Sequence, residues 1–153
     1  MQEPPDYDCP FCKIVADKYD DVETERADIV LRNENITAFV ASHHWGRNKG
    51  NVLIIPNAHY EDLYSLPSSL AAPIHEATQR IALAFKSAFG CTGTSTRQHN
   101  EPDGGQHVWH YHVHVFPRYE GDNLYSFSKQ KSDPIERREL AAQIREALSS
   151  GRA

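Results

Sequence analysis

His110-Tyr111-His112-Val113-His114-Val115-Phe116 sets three imidazoles at two-residue intervals. Successive side chains of a β-strand point to opposite faces, so this spacing puts all three on one face, about 7 Å from one to the next. Three chemistries fit such a row: a metal site, a nucleophile with helpers, or histidines that only pack and hydrogen-bond. Imidazoles on one strand face are good zinc ligands. A neutral imidazole, with an ordinary pKa of about 6.5, also serves as a nucleophile or proton carrier near pH 7. Packing alone accounts for one histidine more readily than for three in register. The flanks add to the chemistry. Asp103-Gly104-Gly105-Gln106 precedes the row with flexible backbone whose amides could turn toward an anion, and Pro117-Arg118 ends it with a cation. Far upstream, Cys9-Pro10-Phe11-Cys12 is a C-x-x-C pair, suited to redox chemistry or a metal.

The elements that must position these residues are read from periodicity and turn signals. Residues 1–8 are acidic and proline-bearing and are expected to be disordered, leaving residues 9–153 as one domain. A short helix is expected over 9–18, beginning near Pro10. Ile29-Val30-Leu31 and Ile36 to Val40 read as strands joined by a turn across Arg32-Asn33-Glu34-Asn35, and Asn51 to Pro56 as a central strand. Ser42 to Gly50 reads as a polar loop. Leu70, Ile74, Ala77, Ile81, Phe85 and Ala88 recur at helical spacing, predicting a long helix from about Pro67 to Phe89, closed by Gly90 and bent near Pro73. Strands follow over Thr92–Gln98 and Val108–Phe116, with a mobile loop over 118–132. Asp133 caps a C-terminal helix with Pro134 at its first position and an apolar stripe of Ile135, Leu140, Ile144 and Leu148. The sum is an α+β domain: a mostly antiparallel five-stranded sheet, one long helix, and short N-terminal and C-terminal helices.

Composition narrows the functions. The 153 residues are about one domain's worth and can bury a core without disulfides. With 39 % hydrophobic and 24 % charged residues and no long apolar run, the chain reads as globular, with no membrane partner. The acidic start does not resemble a signal peptide, and three cysteines are too few and odd for a secreted scaffold, so a reducing, cytoplasmic location is expected. A net charge of −5 argues against nucleic acid while leaving room for a small anionic ligand in a locally positive pocket.

The run Gly104-Gly105-Gln106-His107-Val108-Trp109-His110-Tyr111-His112-Val113-His114-Val115-Phe116-Pro117-Arg118 resembles the signature of the histidine triad (HIT) superfamily of nucleotide hydrolases and transferases. Cys9-Pro10-Phe11-Cys12-Lys13-Ile14-Val15, and Val52-Leu53-Ile54-Ile55-Pro56 followed by His59, resemble its bacterial zinc-containing members. The resemblance implies that His112 attacks the α-phosphorus of a nucleoside monophosphate conjugate, a phosphoramidate or dinucleoside polyphosphate, forming a nucleotidyl-histidine that water hydrolyses. It implies that His114 contacts the phosphate or helps protonate the leaving group. The backbone near Gly105 and His107, with Asn100 and Gln106, would hold the non-bridging oxygens of a purine nucleotide-like substrate. Cys9, Cys12, His59 and His110 would bind a structural zinc, a Cys2His2 set suited to a closed tetrahedral site, with no organic cofactor. A homodimer that extends the sheet across two chains is also implied.

The chain departs from the family pattern in places. The 42–51 loop is longer, with Asn51 where a histidine is usual, and Ala41, Ser42 and His43 stand where an acidic or amide residue commonly holds the ribose. His107 replaces a small hydroxyl residue and His99 lies close by, a pair suited to tuning specificity or pH response. Two other readings therefore stand beside the enzyme: a nucleotide-binding protein with little catalysis, and a metalloenzyme with zinc held by His110, His112 and His114.

Overall fold

The computed structural model describes residues 2–151. Its elements run α1 (Pro10–Val15), β1 (Ile29–Arg32), β2 (Ile36–Val40), β3 (His43–Trp45), β4 (Val52–Pro56), α2 (Ala71–Phe89), β5 (Gly93–Gln98), β6 (Val113–Arg118), β7 (Lys129–Lys131) and α3 (Pro134–Ser149). Five strands form one antiparallel sheet in the order β1-β2-β4-β6-β5. β2 and β4 are buried on both faces, which is why both read as short apolar runs. The α+β architecture follows the expected plan.

The sheet divides the molecule into two packed layers. On one face Val40, Val52, Ile54, Val113 and Val115 meet Ile74, Ala77, Ile81 and Phe85 of α2 and Ala141 and Ile144 of α3. On the other, Phe39, Leu53 and Ile55 meet Phe11 and Ile14 of α1. A six-residue helix does not persist alone in water, so burial of Phe11 and Ile14 must hold α1 in place. This second layer carries the histidine face.

The long helix begins at Ala71 after a 3-10 turn over Ser68–Leu70, which puts Pro73 in its first turn. The missing N–H is harmless there, so no bend is needed inside the helix. Gly90 closes it at φ +60°, as its glycine predicts. Asp133 caps α3 by accepting from the Ile135 and Glu136 amides.

Other expectations are corrected as well. Ile135 is 63 % exposed, and the buried stripe of α3 is Arg137, Ala141, Ile144 and Ala147. A fully buried ion pair, Arg137 Nε donating to Asp28 Oδ2 at 2.8 Å, turns that face inward. The 42–50 and 118–132 segments are not both loops, because β3 and β7 pair as a two-stranded ribbon. Between them Asn48 donates to the Pro117 carbonyl and to Asp122, and Leu124 is fully buried, so 118–132 is anchored rather than loose. Residues 2–8, expected to be disordered, lie against the body: Glu61 accepts from the Gln2 and Glu3 amides, and the Tyr7 hydroxyl accepts from the Trp109 amide. The strand expected from Val108 starts at Val113. Continued in the same register, Tyr111 would lie opposite Pro56, which has no N–H to extend the ladder, and the Tyr111 amide turns instead to the Tyr60 carbonyl.

Candidate active site

His110 lies in a bend ahead of β6, His112 lies immediately before the strand, and His114 lies within it. The row of three is divided by what each ring nitrogen meets. His110 is fully buried; its Nε2 bonds the Pro56 carbonyl at 2.9 Å, and its Nδ1 faces Cys9 Sγ at 3.4 Å and Cys12 Sγ at 3.6 Å. His59 Nδ1 lies 3.2 Å from Cys12 Sγ, while its Nε2 meets Glu3 Oε2 at 2.6 Å. One ligand atom from each of Cys9, Cys12, His59 and His110 lies within 4.8 Å of every other. Both Nε2 atoms are held by acceptors, and the tautomer with its proton there presents an unprotonated Nδ1 toward the two thiols. That is the tautomer and second-layer support a tetrahedral metal site uses, and the donor set fits zinc. Burial and the neighbouring Cys9 push the Cys12 thiol up to about 12, and burial pushes His110 down to about 4. A cation among the thiols would reverse the first effect.

His112, 7 % exposed, points elsewhere. Its Nδ1–H donates to the His110 carbonyl at 2.7 Å, which leaves Nε2 as the lone-pair nitrogen. Burial holds its pKa below the ordinary histidine value, and charge on His99 and His107 would act in the same direction, so the ring stays neutral. Phe11 of α1 packs edge-on against both His112 and His110, with centroids 5.3 and 5.8 Å away. His114 lies 5.1 Å from His112 by ring centroid and stacks on Phe116, its Nδ1 buried without a partner. Burial, then the neighbouring His112 and Arg97, push His114 well below its ordinary range. The three rings offer no common point for one ion, since His110 faces the cysteines and Nδ1 of His112 is engaged with backbone.

His112 and His114 form the floor of a cavity of about 450 Å³. Phe11, Ala41 and Leu53 give it an apolar wall on the β2–β4 side, with Ser42 and His43 at the rim. Arg97, His99, Gly105 and His107 line the opposite, β5 side, and Trp45 and Lys129 of the ribbon close over the end. Of the residues expected at the phosphate, His99, Gly105 and His107 line this cavity. Asn100 and Gln106 are not in the lining. Asn100 Oδ1 accepts from the Leu63 amide, and Gln106 donates to the Glu61 and Val108 carbonyls while accepting from the Glu101 amide. Their work is to shape the loop that presents Gly105. Gly104 admits no side chain, since a Cβ would lie 2.0 Å from the Asn100 carbonyl oxygen, and Gly105 stands at φ +85°. Arg118 is neutralised by Asp122, which receives its Nε and Nη2 at 2.7 and 2.8 Å and is held well below the usual carboxylate range by it.

Arg97, Trp45, Lys129 and Glu3 were not among the expected site residues. Arg97 had a signal: Ser95 and Arg97 alternate along β5 toward His99 just beyond its end, and Arg97 pairs with His114 across the sheet. Trp45 and Lys129 depended on the ribbon, which joins segments far apart in sequence. Asn51, at the position where a histidine is usual, is buried with both side-chain polar atoms unpartnered.

A HIT domain model matches residues 23–121. The chain is 32 % identical to the protein named hit of Bacillus subtilis, over 93 % of this chain and 95 % of that one. It is 28 % identical to an Arabidopsis thaliana protein named adenylylsulfatase HINT3, over 90 % of this chain and 66 % of that one. Its fold matches the crystal structure of a Zn-bound histidine triad family protein from Mycobacterium smegmatis with a TM-score of 0.78, at 30 % identity and 94 % coverage of both chains. No helix among the described residues is long and apolar enough to cross a membrane. By domain match, by identity along nearly its whole length and by fold, the chain belongs to the histidine triad family.

Proposed function

We propose that the protein hydrolyses, or transfers the nucleotidyl group of, nucleoside monophosphate conjugates such as phosphoramidates, dinucleoside polyphosphates or adenylyl sulfate, with His112 as nucleophile. The observation that carries this reading is the hydrogen bond from His112 Nδ1 to the His110 carbonyl, which selects the tautomer with a free Nε2 on the cavity floor. Nε2 donates its lone pair to the α-phosphorus as the bond to the leaving group breaks and that electron pair departs with it. The ring then carries a positive charge, which the His110 carbonyl stabilises through the same Nδ1–H. Water attacks the phosphorus of the nucleotidyl-histidine, the P–N pair returns to Nε2, and a proton is released to give the free nucleotide. The apolar wall of Phe11, Ala41 and Leu53 suits a flat purine base, and the polar Ser42 and His43 beside it suit ribose hydroxyls. His99, His107 and the Gly105 backbone suit the phosphate oxygens.

Cys9, Cys12, His59 and His110 would hold zinc, which would tie α1 and the N-terminal segment to the histidine strand. In this reading the metal is structural: it fixes His110, whose carbonyl orients His112. The paired thiols suit a reducing cytoplasm, and a homodimer would form along an open sheet edge, β1 or β5. The test is turnover of a panel of adenylyl conjugates by wild type and His112→Ala. Loss of at least a thousandfold in kcat with unchanged unfolding is expected. Wild-type rates in His112→Ala would refute the nucleophile, and nucleotide binding without turnover in the wild type would favour the binding-protein reading.

A further inference from the structure

Arg97 has a setting unlike that of the chain's ion-paired arginines. Arg26, Arg32, Arg118, Arg137 and Arg138 each pair with a carboxylate, whereas among the described residues none pairs with Arg97. Its guanidinium carbon lies 4.7 Å from the Trp45 ring centroid, 4.6 Å from Phe116 and 5.5 Å from Tyr125. Its Nε is buried with no hydrogen-bond partner. Stacking on three rings fixes the plane of the guanidinium and leaves the N–H edge to find an acceptor. The side chain lines the same cavity as His112 and His114.

The sheet register says where that charge falls. His114 has Leu53 opposite it on β4 and Arg97 opposite it on β5. Directly opposed residues share a face, so Leu53 and Arg97 flank the histidine row from its two sides. The apolar side, with Phe11 and Ala41, suits the base; the cationic side, to which Lys129 also contributes, suits whatever is attached beyond the reacting phosphate.

We propose that Arg97 is a specificity-determining residue that binds a second tetrahedral oxyanion on the substrate. The site thereby favours conjugates whose leaving group is itself an anion, a phosphate or a sulfate, over those that release a neutral amine. This rests on the function proposed above and narrows its substrate class. When His112 attacks, the α-phosphorus to oxygen bond breaks and its electron pair stays on the departing phosphate or sulfate oxygen, where Arg97 meets it. Such a group leaves without taking a proton from the enzyme. An amine must be protonated, and the Arg97 charge beside His114 works against keeping a proton on that ring.

The test separates binding from turnover. In a His112→Asn background, calorimetry compares ADP, adenosine 5′-phosphosulfate and adenosine 5′-phosphoramidate, with Arg97 intact and as Arg97→Met and Arg97→Lys. A charge-assisted bond of this kind predicts that the two anionic ligands bind about 10- to 100-fold more tightly than the phosphoramidate. Arg97→Met should erase that preference while leaving phosphoramidate affinity within about twofold, and Arg97→Lys should keep part of it, because its charge remains but the fork does not. ADP and phosphosulfate give the separate answers for phosphate and sulfate. Equal losses for all three ligands in Arg97→Met, or no preference with Arg97 intact, would overturn the proposal. A preserved Arg97-dependent preference in a protein that turns over no conjugate would overturn the hydrolase reading alone. Failure of all three ligands to bind would overturn both.

Discussion

Glu3→Gln tests the metal site at the point where sequence offered least warning. The Glu3 carboxylate receives His59 Nε2 at 2.6 Å, and Nδ1 of the same ring faces Cys12. A carboxylate behind a metal-bound histidine fixes its tautomer and makes it a better donor, and losing such a partner lowers metal affinity about 10- to 100-fold. The side chains here are 34 % and 29 % exposed, so water screens the pair and the lower end applies. About tenfold weaker zinc binding corresponds to about 1.4 kcal/mol. At saturating zinc the same amount leaves the folding free energy, and for a domain of this size Tm should fall by about 3–6 °C. The assay is competition against a chromophoric chelator, with thermal unfolding of the holoprotein and the chelated protein in parallel. Metal-free wild type and Glu3→Gln should melt within about 1 °C of one another, since the Gln2 and Glu3 amides keep Glu61 as acceptor. Equal zinc affinities within about twofold, or a Tm loss as large in the chelated protein, would refute the reasoning.

Three further perturbations address the remaining links. Arg137→Met strands Asp28 in the core beneath α3 and should destabilise by about 3–5 kcal/mol in urea unfolding, while adding Asp28→Leu should recover much of that; a single-variant loss under about 1 kcal/mol would contradict the buried pair. Asn51→Leu removes two buried unpartnered polar atoms and should leave stability unchanged or raise it by about 1 kcal/mol, read by the same unfolding curves; a loss above about 2 kcal/mol would mean the amide is bonded after all. The pH dependence of the metal-free protein follows from the depressed histidines. His110, at about 4, and His112 and His114 bind protons in the unfolded chain near pH 6.5 but in the fold only at lower pH. Below about pH 6.5 the unfolded state therefore holds more protons and stability falls with pH, down toward pH 4 for His110. A stability flat from pH 7 to 4.5 would show these rings are not buried neutral.

The pattern of the central elements was legible because one physical signal dominated each. β2 and β4 are buried on both faces and read as apolar runs, and α2 buries one stripe at helical spacing. What escaped was set by contacts distant in sequence. Nothing local in Lys129-Gln130-Lys131 announces a strand; it forms because β3 offers it a partner. Ile135 looked like core, but the Arg137–Asp28 pair decides which face of α3 turns inward. At the site, His112, His114, His99 and His107 declared themselves by type and spacing, whereas Asn100 and Gln106 look the same in sequence whether they face a ligand or brace a loop. Their hydrogen bonds place them in the loop. Glu3 acquires meaning only beside His59, and the alternation that points to Arg97 becomes informative once β5 is paired with the strand of His114.

The central claim is that His112 forms a covalent bond to the α-phosphorus. Rapid acid-free quenching of the protein with adenosine 5′-phosphosulfate, followed by intact-mass and peptide mass spectrometry, tests it directly. The expected result is an adenylyl adduct on the peptide carrying His110 to His114, mapped to His112 and absent from His112→Ala. Steady turnover with an adduct on another residue, or turnover retained in His112→Ala, would contradict the account.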